Sequence, residues 1–194
     1  MKRYLNIGGE EKFTSEYITL GFNREINVDV TKTLPIKSNS IDFTWSERML
    51  EHIKVEDIFK VFANLNKILK NKGIARFCLP SCFYCDDKSV DMMRPNNYLK
   101  QVQIGHVTWF TYEGIGNITP DLFGLKKNPE PFIKLKDLCE KYGFTYKLIR
   151  YHDENSKVHY DEDFLANSTA NKFKDFPEII IHRPNSLIFD CIKN

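Results

Sequence analysis

Three stretches of this 194-residue chain carry residue types at spacings that suit chemistry. The first is YLNIGGEEKF, where an apolar run ends in Asn6, Gly8, Gly9 and Glu10. Paired glycines let a backbone bend sharply and approach a ligand closely, although they suit a plain tight turn equally well. The segment NIGGEE is not the GxGxxG dinucleotide fingerprint, so the motifs downstream of it must decide its meaning. The second stretch is WSERMLEHI, with Ser46, Glu47, Glu51 and His52. Glu47 and Glu51 are four apart, as are Arg48 and His52, so each pair shares a face if a helical turn starts here. His52 is a candidate base because imidazole titrates near neutrality; the plainer reading is a helix-start histidine bonded to backbone. The third is GHVTWFTYEGI, which places His106 among Trp109, Phe110, Tyr112 and Glu113. Aromatic faces stack on the apolar side of a pyranose, and His106 is then a candidate general base for a sugar hydroxyl. A satellite hydrophobic cluster explains the same residues.

These residues need a scaffold, and the hydrophobic pattern outlines one. RYLNIG (3–8), YITLGF (17–22), a short INVDV (26–30) and IDFTWS (41–46) read as strands. Residues 54–70 give the clearest helix, with Val55, Ile58, Phe59, Phe62, Leu65 and Leu69 at helical spacing and Gly73 placed to end it. IARFCLP (74–80) is the next strand, stopped by Pro80. A second helix spans 131–144, with proline at its start and Gly143 near its end. TYKLIRYH (145–152) and NSLIFDCIK (185–193) are late strands. Strand–helix–strand order predicts an α/β sheet in one domain over 1–194. The first three strands are separated by fewer residues than a helical crossover needs, about a dozen or more. The front half is therefore a trimmed α/β unit, or one of these strands is misassigned.

Bulk properties narrow the partners. A net charge of +2 is too balanced to predict nucleic acid or an anionic membrane surface. No apolar run is long enough for a membrane span, and the N-terminal apolar run is too short for an export signal. A cytoplasmic location with reduced thiols is expected.

At SNSIDFTWSERMLEHI and the adjoining helix and ILKNKGIARFCLPS, the chain resembles class I S-adenosylmethionine-dependent methyltransferases. It is most similar to a compact group of predicted methyltransferases, several in surface-glycan pathways. YLNIGGE, VDVTKTLPIKSNSIDF, TWSERMLEHI, NLNKILKNKGIARFCLP, KLKDLCEKYGF, DENSKVHY and NSLIFDCIK match the group in order. The resemblance implies a Rossmann-like sheet with a shortened N-terminal half and helices on both faces. It implies S-adenosyl-L-methionine as cofactor, near Asn6, Gly8, Gly9 and Glu10, whose acceptors would meet the methionyl ammonium. Asp29 stands where the group has an acid near the adenine amine, and residues from Val30 to Leu34 would flank the ring. Ser46 and Glu47 would lie nearest the cofactor, beside the reactive methyl. The acceptor implied is a small molecule or glycan precursor, methylated on a hydroxyl. The alternative is a catalytically inactive partner subunit in glycan assembly, and a homodimer is also open. The chain departs from the group at Glu10, often a third glycine, and at Gly21, often an acid that holds the ribose; Glu25 is a substitute.

CLPSCFYC spaces Cys78, Cys82 and Cys85 as in the iron–sulfur motif of radical S-adenosylmethionine enzymes. Too little chain remains after it for a partial barrel of strand–helix units at about 30 residues each, so inert thiols and no metal are expected. Cys139 and Cys191 fit a helix face and a buried strand. The charge run KVHYDEDF reads as a solvated face, and Arg183 as a partner for a phosphate or carboxylate.

Overall fold

The computed structural model describes residues 4–8, 17–21, 24, 26–47, 49, 50, 53, 55–80, 133–152, 157–161 and 186–194. Among them the order is β1 (Tyr4–Ile7), β2 (Tyr17–Gly21), β3 (Ile26–Asn27), β4 (Ile41–Glu47), α1 (Val55–Ile68), β5 (Leu69–Pro80), α2 (Ile133–Lys141), β6 (Phe144–His152), β7 (Val158–Tyr160) and β8 (Ser186–Lys193). The strands form one sheet in the order β3-β2-β1-β4-β5-β8-β6-β7. The β1–β5 strands pair in parallel. Strand β8 inserts antiparallel between β5 and β6, and β7 adds an antiparallel edge. The front strands are thus parallel although only residues 8–16 and 22–25 join them. This is the trimmed α/β half, with all three short strands present.

Alternation along the strands gives the sheet two buried faces. Leu5, Ile7, Ala75, Phe77, Leu187, Phe189 and Phe144 belong to the first, and both described helices pack there. Tyr4, Phe43, Trp45, Cys78, Ile149 and Ile188 form a separate cluster on the second. The expectation is helices on both faces; among the described residues, helices pack on the first face.

Helix α1 buries Ile58, Val61, Phe62, Leu65 and Ile68. Each such side chain contributes about 1.5–3 kcal/mol. Phe62 stacks on Phe77 at 5.6 Å, and Phe77 on Phe189 at 5.1 Å, so an aromatic column joins helix, β5 and β8. Phe59, expected on the buried stripe, is 43 % exposed. One residue is about 100° of helical turn, which carries Phe59 off a stripe centred between Ile58 and Leu65.

The helix also stops earlier than Gly73. A helix leaves its last four carbonyls without helical partners. Here Lys193 Nζ donates to the carbonyls of Asn66 and Leu69. The amides of Asn39 and Ser40 donate to those of Lys67 and Ile68. Leu69 can then start β5 at once, paired with Ile41. Gly73 serves a close approach instead: a Cβ there would stand 2.8 Å from the Lys70 carbonyl oxygen. Helix α2 does end as expected, with Gly143 at φ 79° and its amide donating to the Glu140 carbonyl.

Candidate functional site

In an open parallel sheet, ligands bind beyond the carboxyl ends of the strands, where the strand order reverses. That point lies between β1 and β4: the chain runs from β1 outward through β2 to β3, then returns to β4 on the other side. Gly8 comes directly after β1 and Glu47 ends β4, so the two border the switch point.

Gly8 is the elbow of this edge. Its φ is +75°, and its amide donates to the Leu20 carbonyl at 2.8 Å. A Cβ on Gly8 would stand 2.7 Å from Met49 Cβ and closer still to Met49 Cγ. Met49, 7 % exposed, thus fills the space a side chain on Gly8 would need. Gly21, at the end of β2, has φ +146°. A Cβ on it would lie 3.4 Å from Arg24 Cγ and 3.5 Å from Gly8 Cα. The acid that often stands here would need a different backbone, because L side chains rarely adopt this φ.

Asp29 is half-buried and its role in the turn is explicit. Its Oδ1 accepts from the Thr31 amide at 2.9 Å and the Thr31 hydroxyl at 2.7 Å. Burial pushes the carboxyl up, but the Thr31 bonds and the charges of Lys32 and Lys60 outweigh it and hold the pKa below the ordinary carboxylate value. Asn64 on α1 fixes the same turn, donating to the carbonyls of Val30 at 3.0 Å and Lys32 at 2.6 Å. A carboxylate with a depressed pKa stabilises the fold above its unfolded pKa, and that contribution is lost as pH falls through the folded value. The melting temperature of Asp29→Asn is therefore expected to lie below that of the unaltered chain at neutral pH. The gap should begin to narrow as pH falls through the ordinary carboxylate value, about 4, and close only once pH has passed below the depressed folded value, where the carboxyl is neutral in both states. A gap that is constant with pH would contradict this.

The other expected site residues fall into distinct places. Asn6 is fully buried on the second face, level with Thr19 on β2 and Trp45 on β4. Ser46 and Glu47 are both buried at the end of β4, with Glu47 level with Cys78 on β5. Leu34 is 6 % exposed and belongs to the first-face core, so its side chain backs the 29–34 loop. Gly9, Glu10, Glu25, Glu51, His52, His106, Cys82, Cys85 and Arg183 lie outside the described residues. Cys78 is buried in the second-face apolar cluster. Among the described residues there is no cluster of three or more metal-ligating side chains, and no helix is long and apolar enough to cross a membrane. Sequence reading missed Met49 and Asn64. It also missed the Asp29–Thr31 pair, although Asp two residues before a threonine is an Asx-turn pattern that could have found it.

A family model described as a methyltransferase domain matches residues 11–77. No curated protein matches the chain significantly in sequence. Among solved structures, a SAM-dependent methyltransferase from Archaeoglobus fulgidus superposes with TM-score 0.54 at 15% identity, covering 99% of this chain and 86% of that one. A SAM-dependent methyltransferase from Thermotoga maritima, described as a possible histamine N-methyltransferase, gives 0.54 at 13%, covering 100% and 83%. A Haemonchus contortus phosphoethanolamine N-methyltransferase, in complex with phosphomonomethylethanolamine and S-adenosylhomocysteine, gives 0.51 at 13%, covering 99% of this chain. The chain spans about half that protein's length, 48%. The fold is therefore the Rossmann-like fold of class I methyltransferases.

Proposed function

We propose that the chain is an S-adenosylmethionine-dependent methyltransferase, working as one domain on a small-molecule or glycan-precursor hydroxyl. The observation that carries the reading is the glycine elbow at Gly8 on the switch point between β1 and β4. The methyltransferase-domain match over residues 11–77 and the shared fold support it.

The described residues fit the cofactor at three places. The Gly8 turn brings bare backbone to the crevice, where carbonyls near Asn6 and Gly8 would accept from an ammonium, with Gly9 and Glu10 next in the chain. The rigid Asp29 turn would present a carboxylate to the adenine amine, with the backbone from Val30 to Leu34 along the ring. Buried Ser46 and Glu47 would border the reacting centre. S-adenosylmethionine supplies a methyl group on a sulfonium sulfur, already activated for transfer. The protein must then hold the acceptor oxygen in line with that methyl and remove its proton. Positioning of this kind supplies a large share of rate enhancement. Glu47, His52 and His106 are the candidate proton acceptors, a role worth about 10²–10⁴-fold.

Calorimetry with S-adenosylhomocysteine tests donor binding. A saturable isotherm is expected; no heat at millimolar ligand would sink the proposal. A second reading is a partner subunit that keeps the fold without catalysis. The backbone at Gly21, which disfavours a ribose-binding acid, favours it. A complex of the Haloferax volcanii methyltransferase activator Trm112 with its methyltransferase partner shares this fold, with TM-score 0.50 at 10% identity. Gel filtration with candidate partners separates the two: a monomer that transfers methyl groups unaided excludes the partner role.

A further inference from the structure

Cys139 and Cys191 are 52 residues apart, yet their sulfurs lie 3.1 Å from each other. Both side chains are fully buried. Cys139 sits in the last turn of α2, and Cys191 on β8 between Ala75 of β5 and Tyr146 of β6. Neither belongs to the proposed site. Cys191 shares the level of Ala75, and so of Thr44 on β4, three residues before the Glu47 end of that strand. A disulfide bond needs its sulfurs about 1 Å closer than this, a shift within reach of a side-chain adjustment.

We infer that Cys139 and Cys191 form a latent redox staple, which a hydroperoxide closes into a disulfide joining α2 to β8. One sulfur, as its thiolate, attacks a peroxide oxygen; the O–O bond breaks, and the proton the thiol gave up is taken by the departing oxygen, which leaves as water or alcohol. The other thiol attacks the resulting sulfenic sulfur; the S–O bond breaks and water leaves with the second proton. Two thiols are oxidised and one peroxide is reduced. Burial raises the Cys191 thiol pKa well above its ordinary value, so little thiolate is present and closure is slow.

Native protein treated with hydrogen peroxide, then digested and mapped by mass spectrometry, tests the staple. The expected product is a Cys139–Cys191 linked peptide two hydrogens lighter than its parts, reversed by dithiothreitol. The linkage should raise the melting temperature by roughly 5–10 °C, since it closes a long loop. Cys139→Ser and Cys139→Ala should each lack both the linkage and the peroxide-dependent rise. The inference fails if both thiols remain reduced while Cys78, Cys82 or Cys85 oxidise, or if the linkage forms only in urea. Donor binding measured on the oxidised protein should be unchanged, because the staple sits away from the Gly8–Glu47 edge.

Discussion

Gly8→Ala is expected to weaken S-adenosylhomocysteine binding by about tenfold or more, a loss of at least about 1.4 kcal/mol. Two costs act together. A residue with a side chain at φ +75° is strained by roughly 1–2 kcal/mol. The new Cβ also falls 2.7 Å from Met49 Cβ, so Met49 must move. Together these should lower stability by about 2–4 kcal/mol in urea titrations. The double variant Gly8→Ala with Met49→Ala separates the costs, because it removes the overlap and keeps the strain. Part of the stability should return, beyond what the two single changes predict by addition. An isotherm for Gly8→Ala equal to that of the unaltered chain would remove the elbow from the proposed donor site.

The larger effect on stability is expected at Arg76 and Asp190. The guanidinium donates twice to the carboxylate, Nε to Oδ1 at 2.7 Å and the second nitrogen to Oδ2 at 2.8 Å. The side chains are 0 % and 4 % exposed, and Arg76 also lies over the Phe43 ring at 5.6 Å. Removing one partner leaves the other charge buried without its counterion, which costs about 3–5 kcal/mol. Arg76→Leu and Asp190→Leu should each lose that much by urea denaturation, a large share of the roughly 5–15 kcal/mol that holds a domain together. Arg76→Leu combined with Asp190→Leu should recover most of it, since no charge is then stranded. Additive losses in the double variant would mean that the residues act separately. The pair joins the last parallel strand to the antiparallel strand inserted beside it, so the same measurement reports on how firmly that insertion is held.

The resemblance to methyltransferases and the α/β class were readable along the chain alone, because order and periodicity of elements are local properties. Ile58, Phe62 and Leu65 repeat at helical spacing whatever they pack against. The strands β4 and β5 and the Gly143 helix end each involve residues within a few positions of one another. Phe59 marks the limit of that reading. Its spacing puts it at one edge of the stripe, about 100° from Ile58, and only the position of the sheet decides which edge is covered.

The tertiary structure alone decided the pairings between distant residues. Arg76 finds Asp190 at a separation of 114 residues and Cys139 finds Cys191 at 52. Alternation with period two says which face a residue takes, and nothing about which strand stands beside it. Strand order and register supply that, and they brought Met49 under Gly8 and Lys193 to the end of α1. The sequence by itself determined an α/β chain with paired glycines at the turn after its first strand, and the strand pairing decided that its front half is a trimmed parallel unit. The packing decided that this turn stands at the switch point of the sheet, with its side-chain space already taken.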